Sequence, residues 1–165
     1  MGNIWFRPAR VQDADWISER LSEEDQYWIK GETNVPPKVA LREAIVRSPA
    51  KALCVEEMAG PFVNPLALFG IATAHLPADG RKVGQVWCVA LDRLREDYGK
   101  SFTRSVKRLL DNEMKVGKWD MLYNREDADN AFHLRWVRFC GFKLMKRESD
   151  PAKNRNFVYF ARFSA

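Results

Sequence analysis

The chain has 165 residues, 46% of them hydrophobic, a length at which one domain buries most of its apolar surface in a single core. Thirty per cent charged residues beside six tryptophans and ten phenylalanines exclude a disordered or fibrous class, because that aromatic mass must pack somewhere dry. No apolar run approaches the roughly 20 residues that span a bilayer, so a soluble protein with no membrane partner is expected.

The formal net charge is +5, with basic residues concentrated after residue 80 and acidic ones clustered at Glu19, Glu23, Glu24 and Asp25. That asymmetry suits an anionic ligand held by the C-terminal half, the plainer alternative being a solvated mixed surface. Cys54, Cys88 and Cys140 are odd in number, far apart, and lack CxxC or zinc spacing, so a reducing compartment and no metal site are expected. The opening Met-Gly-Asn-Ile-Trp-Phe lacks a signal-peptide plan, and Phe6 stands where a myristoylation signal wants Ser or Thr, so neither secretion nor a lipid anchor is expected.

Ile4-Trp5-Phe6-Arg7 reads as a first strand closed by Pro8, and residues 13–21 carry Ala14, Trp16, Ile17 and Leu21 near helical spacing. Residues 31–37 read as a loop. Residues 38–47 repeat the helical pattern through Val39, Leu41, Ala44 and Ile45 until Pro49 stops it. From Lys51 the period changes: residues 51–58 and 66–76 are rich in β-formers and flank the turn Ala59-Gly60-Pro61, which predicts neighbouring antiparallel strands. Ala78-Asp79-Gly80-Arg81 brings Asp-Gly turn chemistry, and residues 83–91 follow as a nearly unbroken apolar strand, expected to be buried on both faces. Phe102, Val106, Leu109, Leu110 and Met114 mark one face of a helix whose other face carries Arg104, Lys107, Arg108 and Asp111. Residues 119–123 read as a strand, 129–139 as a helix ended by Gly141, and 142–146 and 156–163 as closing strands. The predicted order is β-α-α-β-β-β-α-β-α-β-β, in a single domain over residues 1–165.

Residues 91–102 join the apolar strand to the amphipathic helix, with Gly99 at the turn. Unpaired N–H groups and the positive end of a helix dipole meet in such a segment, which makes it a physical site for phosphate, with Lys100 adding charge. The plainer reading is a turn glycine.

Four separated places resemble the GNAT superfamily of N-acetyltransferases. Arg7-Pro8-Ala9 with Asp13-Ala14 is similar to the family's Arg-Pro-Ala-x-x-x-Asp start. The 91–102 segment matches its phosphate-binding segment in length, with Gly99 and Ser101 at the two small-residue positions of (Gln/Arg)-x-x-Gly-x-(Gly/Ala). Asn130 and Gly141-Phe142 match the ends of Asn-x-x-Ala-x-x-x-Tyr-x-x-x-Gly-Phe, and the closing strand pair completes the element order. The resemblance implies an α+β fold with a mixed central sheet of six to seven strands and about four helices. It departs at Glu96 in the Gln/Arg slot, at His133 in place of the helical Ala, and at Val137 in place of the tyrosine that protonates the departing thiolate in many members. Gly84-Gln85-Val86-Trp87-Cys88-Val89 and His133-Leu134-Arg135-Trp136 further resemble GNAT-like proteins of short-tailed bacteriophages, of the internal virion protein A type. That likeness implies expression in an infected bacterium's cytoplasm, virion proteins as partners, and location in the particle.

By the same resemblance, acetyl-CoA is the expected cosubstrate and an amine or protein the acceptor. The main chain of Val89 and Leu91 would hold the pantetheine arm, the N–H groups of Tyr98, Gly99, Lys100, Ser101 and Phe102 would meet the pyrophosphate, and Asn130 belongs to the cofactor-binding set. His133 is one candidate for handling the proton, an imidazole being able to do so near neutral pH, and Tyr123 is the other, able to supply the hydroxyl that Val137 lacks. His75, Asp120 and Gln85 are weaker candidates. Cys88, in an apolar strand, is expected to be a buried small hydrophobe and not an acyl carrier. Phe132, Trp136 and Phe139 read as a packing stripe, and Arg104, Lys107 and Arg108 as a solvated face more than a nucleic-acid contact, so nucleic acid is not an expected partner. Acetyl transfer to an amine is the first function expected, and a silent GNAT-fold protein of the phage particle the alternative.

Overall fold

The computed structural model describes residues 3–74, 80–116 and 118–164. The elements run β1 Ile4–Pro8, α1 Val11–Ser18, α2 Glu23–Thr33, α3 Pro37–Val46, β2 Lys51–Ala59, β3 Phe62–Thr73, β4 Val83–Ala90, α4 Asp92–Lys115, β5 Met121–Asp127, α5 Ala131–Phe139, β6 Lys143–Asp150 and β7 Arg155–Phe163. Among the described residues the sheet has seven strands in the order β1-β2-β3-β4-β5-β7-β6, with β4 and β5 parallel and joined by α4 as the crossover their direction requires. The His75 candidate and Ala78-Asp79 of the 78–81 turn lie outside the described residues.

One helix escaped the sequence reading. α2 begins at Ser22, whose hydroxyl accepts the Asp25 N–H at 3.1 Å, and its first turn carries Glu23, Glu24 and Asp25 against the positive end of the dipole. The acidic cluster is thus a helix start. No residue of α2 is buried, so it has no apolar stripe to betray it.

The described residues gather into two compact units: Met1–Ala72 with Trp87–Phe102, and Thr73–Val86 with Thr103–Ala165. In the first, Ala14, Ile17, Leu21, Leu41 and Ile45 of the early helices close on Cys54, Leu68 and Leu91, with Trp87 and Val89 against them. Trp87 lies across Gly70, where a Cβ would come within 2.5 Å of the indole, and its ring N–H reaches Ser48 Oγ at 2.8 Å. The Arg-Pro-Ala-x-x-x-Asp start is a structural lock. Arg7 gives two hydrogen bonds of 2.8 Å to Asp13 and pairs through Nε with Glu56 at 2.9 Å, while Asp13 also accepts the Arg10 N–H at 2.7 Å. The fork of the guanidinium thereby fixes β1 to α1 and to β2.

In the second unit, β7 lies between β5 and β6, and Phe142 meets Phe160 edge-on at 5.2 Å. α5 ends at Gly141, whose φ of +95° suits glycine and leaves room for Arg162 to reach the Cys140 carbonyl at 2.9 Å and Asp111 at 2.6 Å. The strand expected at 119–123 begins at Met121 because Trp119 is buried against Glu113, its ring N–H 3.1 Å from the carboxylate. The expectation that residues 83–91 are buried on both faces fails: Gln85 and Cys88 are exposed.

Burial opposes ionisation of Asp13, yet the hydrogen bonds from Arg7 and Arg10 outweigh it and hold the carboxyl below its ordinary value of 3.8. A carboxyl lowered in the folded state contributes stability that is fully present above that ordinary value and is lost as pH falls through the lower folded one. Asp13→Asn should therefore cost about 3 kcal/mol in urea unfolding at about pH 7 and flatten the acid limb of the stability curve. An acid limb identical to wild type would remove the lock from this account.

Candidate active site

β4 offers its backbone on one edge. Ala74 N–H donates to the Val83 carbonyl and Leu91 N–H to the Leu66 carbonyl, both at 2.9 Å. The two bonds obey one antiparallel register, in which odd-numbered residues of β4 turn their main-chain groups toward β3. Even-numbered residues turn theirs to the opposite edge. Val86 confirms it, since its carbonyl accepts Asn124 Nδ2 at 2.6 Å, just past the short ladder of Val83–Gln85 on Met121–Tyr123. The expectation for Val89 and Leu91 is corrected on this ground: Leu91 spends its N–H on Leu66, and the groups on the outer edge are those of Cys88 and Ala90.

The segment after β4 is helical from Asp92, so the expected loop over 91–102 does not exist. Gly99 sits inside α4 with a helical φ and open space where a Cβ would be, and the N–H groups of Tyr98 to Phe102 belong to helical turns. Two contacts pin these turns. Glu57, fully buried on β2, pairs with Arg93 Nε at 2.6 Å, and its carboxylate pushes the nearby Tyr98 hydroxyl's pKa up. Arg95 reaches Asp92 at 2.8 Å and Asp25 at 3.5 Å. Phe102 is buried and stacks on Phe6, centroids 6.1 Å apart. Lys100 and Ser101 are exposed. The amides at the positive end of α4 are those of its first turn, beside Asp92, Arg93 and Arg95.

In the second unit, Asn124 is the side chain that sequence reasoning missed. Besides binding Val86, its Oδ1 accepts the Arg125 N–H at 2.8 Å and Gln85 Nε2 at 3.3 Å. A polar residue within a strand was the available signal. Asn130 caps α5, its Oδ1 accepting the His133 N–H at 3.1 Å, and His133 Nδ1 lies 3.1 Å from Glu126 Oε2 with the ring about one-third exposed. Glu126 pairs across β5 with Val158, and Tyr123 with Ala161, so the two side chains point to opposite faces of the sheet. His133 and Tyr123 are therefore not brought together.

No protein-family model matches the chain, and no curated protein sequence does. Solved structures do. A GNAT-family acetyltransferase from Bacillus anthracis superposes with a TM-score of 0.70 at 14% identity, over 99% of each chain. The NatC complex bound to Gag peptide and CoA gives 0.70 at 14% identity, again over 99% of each chain. Spermidine N-acetyltransferase from Vibrio cholerae, in complex with CoA and spermine, gives 0.66 at 14% identity over 98% of this chain and 95% of that one. The chain has the GNAT fold.

Its departures from the GNAT pattern now have structural readings. Glu96, in the Gln/Arg slot, is exposed on α4. Val137, in the tyrosine slot, is 5% exposed and packs in the core, where no hydroxyl is on offer. Cys88, expected to be buried, is exposed, because its neighbours Trp87 and Val89 take the face toward the early helices and the strand's period of two turns Cys88 the other way.

Helical Gly99 costs about 1 kcal/mol relative to alanine, and its Cβ position is open. Gly99→Ala should therefore raise the thermal midpoint by about 2–4 °C in a melt followed by circular dichroism. A fall of that size would return residue 99 to a turn.

Proposed function

We propose that this chain is an acetyl-CoA-dependent N-acyltransferase that passes an acyl group directly from the thioester to an amine. The observation that carries the reading is the outer edge of β4, where the main chain of Cys88 and Ala90 faces away from β3 and runs directly into the positive end of α4. A pantetheine arm carries amides that match such an edge. GNAT-fold neighbours solved with CoA support the choice of ligand. The pyrophosphate fits less well: no amide cradle exists over residues 98–102, and at the first turn of α4 the charge of Asp92 opposes an anion while Arg93 and Arg95 attract it. In this reading the diphosphate meets Arg93 and Arg95, not Gly99. The amine attacks the thioester carbonyl, the C–S bond breaks and CoA leaves as its thiolate, which takes up the proton that the amine gives up; His133, oriented by Glu126, and Tyr123 are the two candidates for carrying it, and Asn130 acts by capping α5.

Titration calorimetry with acetyl-CoA tests this. Binding should tighten in Asp92→Asn and persist in Gly99→Glu, and no heat at about millimolar ligand would overturn the reading. With an acceptor found by mass spectrometry from a panel of amines and peptide N-termini, whichever of His133→Ala and Tyr123→Phe removes the acid should lower kcat about a hundredfold.

The buried Val137 and the helical turn at Gly99 favour a second reading, a GNAT-fold protein without turnover that serves as a structural component. A phage virion role, with host cytoplasm as the place of synthesis, rests on the sequence likeness of residues 84–89 and 133–136. Turnover with a defined acceptor would exclude silence.

A further inference from the structure

The aromatic residues of α5 do not pack as their spacing predicts. Phe132 is 53% exposed and Phe139 51%, whereas Trp136 alone turns inward and donates to Thr103 Oγ1 at 2.9 Å. Phe132, Arg135 and Phe139 stand at i, i+3 and i+7, on one stripe of the helix, with the two rings about 10 Å apart along its axis. At the end of that stripe Arg138 joins Lys143, Phe142 and Leu144 around a cavity of about 400 Å³. Lys146 and Arg147 follow on the exposed strand β6. Arg135, Arg138, Lys143, Lys146 and Arg147 have no ion-pair partner among the described residues.

The charge of the two units differs in the same direction. The unit holding α5 and β6 has sixteen Lys and Arg against nine Asp and Glu, a net of +7, while the other has eleven against thirteen, a net of −2. A surface that leaves two phenylalanines in water among unpaired cations calls for a partner that is both flat and anionic.

We propose that α5 and the start of β6 bind single-stranded nucleic acid, with Phe132 and Phe139 as stacking platforms for bases and Arg135, Arg138 and Lys143 as phosphate contacts. Stacking tolerates any base, and a spacing of about 10 Å suits a strand that lays successive bases on separate rings. A second copy of the chain fits poorly, because a two-fold interface would set these cations against themselves. An anionic membrane fits poorly as well. Arg135 lies between the two rings on one stripe, and a helix lying on a bilayer keeps its cations on the face away from its apolar residues. The proposal stands independently of acyl transfer.

Fluorescence anisotropy of the full chain with a labelled oligothymidylate of about twenty nucleotides decides it. Binding should weaken with salt at a log–log slope of about −2, as three phosphate contacts on a single strand imply. Phe132→Ala with Phe139→Ala should weaken it about tenfold or more at unchanged slope, and Arg135→Glu with Arg138→Glu and Lys143→Glu should abolish it. All five positions lie on a surface, so circular dichroism melts should match wild type. Absence of binding at low salt overturns the proposal, and so does aromatic-independent binding that heparin or duplex DNA reproduces equally. Sedimentation showing a dimer that the phenylalanine pair disrupts would assign the surface to a second copy, and binding to phosphatidylserine vesicles without oligonucleotide binding would assign it to a membrane.

Discussion

Two adjacent carboxylates buried in β2 organise the first unit. Glu56 and Glu57, adjacent on one strand, point to its opposite faces, and a carboxyl group taken out of water calls for a partner beside it. Glu56 receives Arg7 and the Trp5 ring N–H, and so holds the start of the chain. Glu57 receives Arg93, and so holds the start of α4. The ladder with β3 slips between Val55 and Glu56, just before the pair, where Leu66 of β3 has no opposite number on β2. Desolvation thus becomes a positioning device, because each buried charge tolerates only the arrangement that brings its partner within reach.

The second of these anchors shapes the candidate site. A helix that starts directly after a strand presents only its first-turn amides to a ligand, and every later amide is spent on its own ladder. Arg93 stands in the first turn of α4, and its pair with the buried Glu57 fixes that turn to β2. That contact fixes where α4 starts, and the open space at the Cβ position of Gly99 offers nothing that would interrupt the helix there.

This is also where sequence reading ran out. The β-formers of residues 51–58 and the apolar run at 83–91 are local signals that gave their strands to within a residue, whereas the amphipathic face from Phe102 to Met114 gave the end of α4 and missed its first ten residues. The Arg7 and Asp13 pair was legible as a motif because two side chains of fixed type at fixed spacing form it. The partner that Arg93 finds at the start of α4 is Glu57, thirty-six positions earlier, which no window of periodicity contains. α2 was hidden for the opposite reason: it buries nothing, so its caps were the only trace. Cys88 and the α5 phenylalanines were misjudged because apolar spacing marks a face without saying what covers it.

The outer edge of β4 has a consequence for ancestry. Its N–H and C=O groups are the same whichever side chains the strand carries, provided the register with β3 is kept and proline is excluded. Selection acting on such an edge constrains geometry and leaves identity to drift. A chain that shares only 14% identity with the GNAT-fold structures it superposes on can therefore keep the fold, and with it an edge of this geometry.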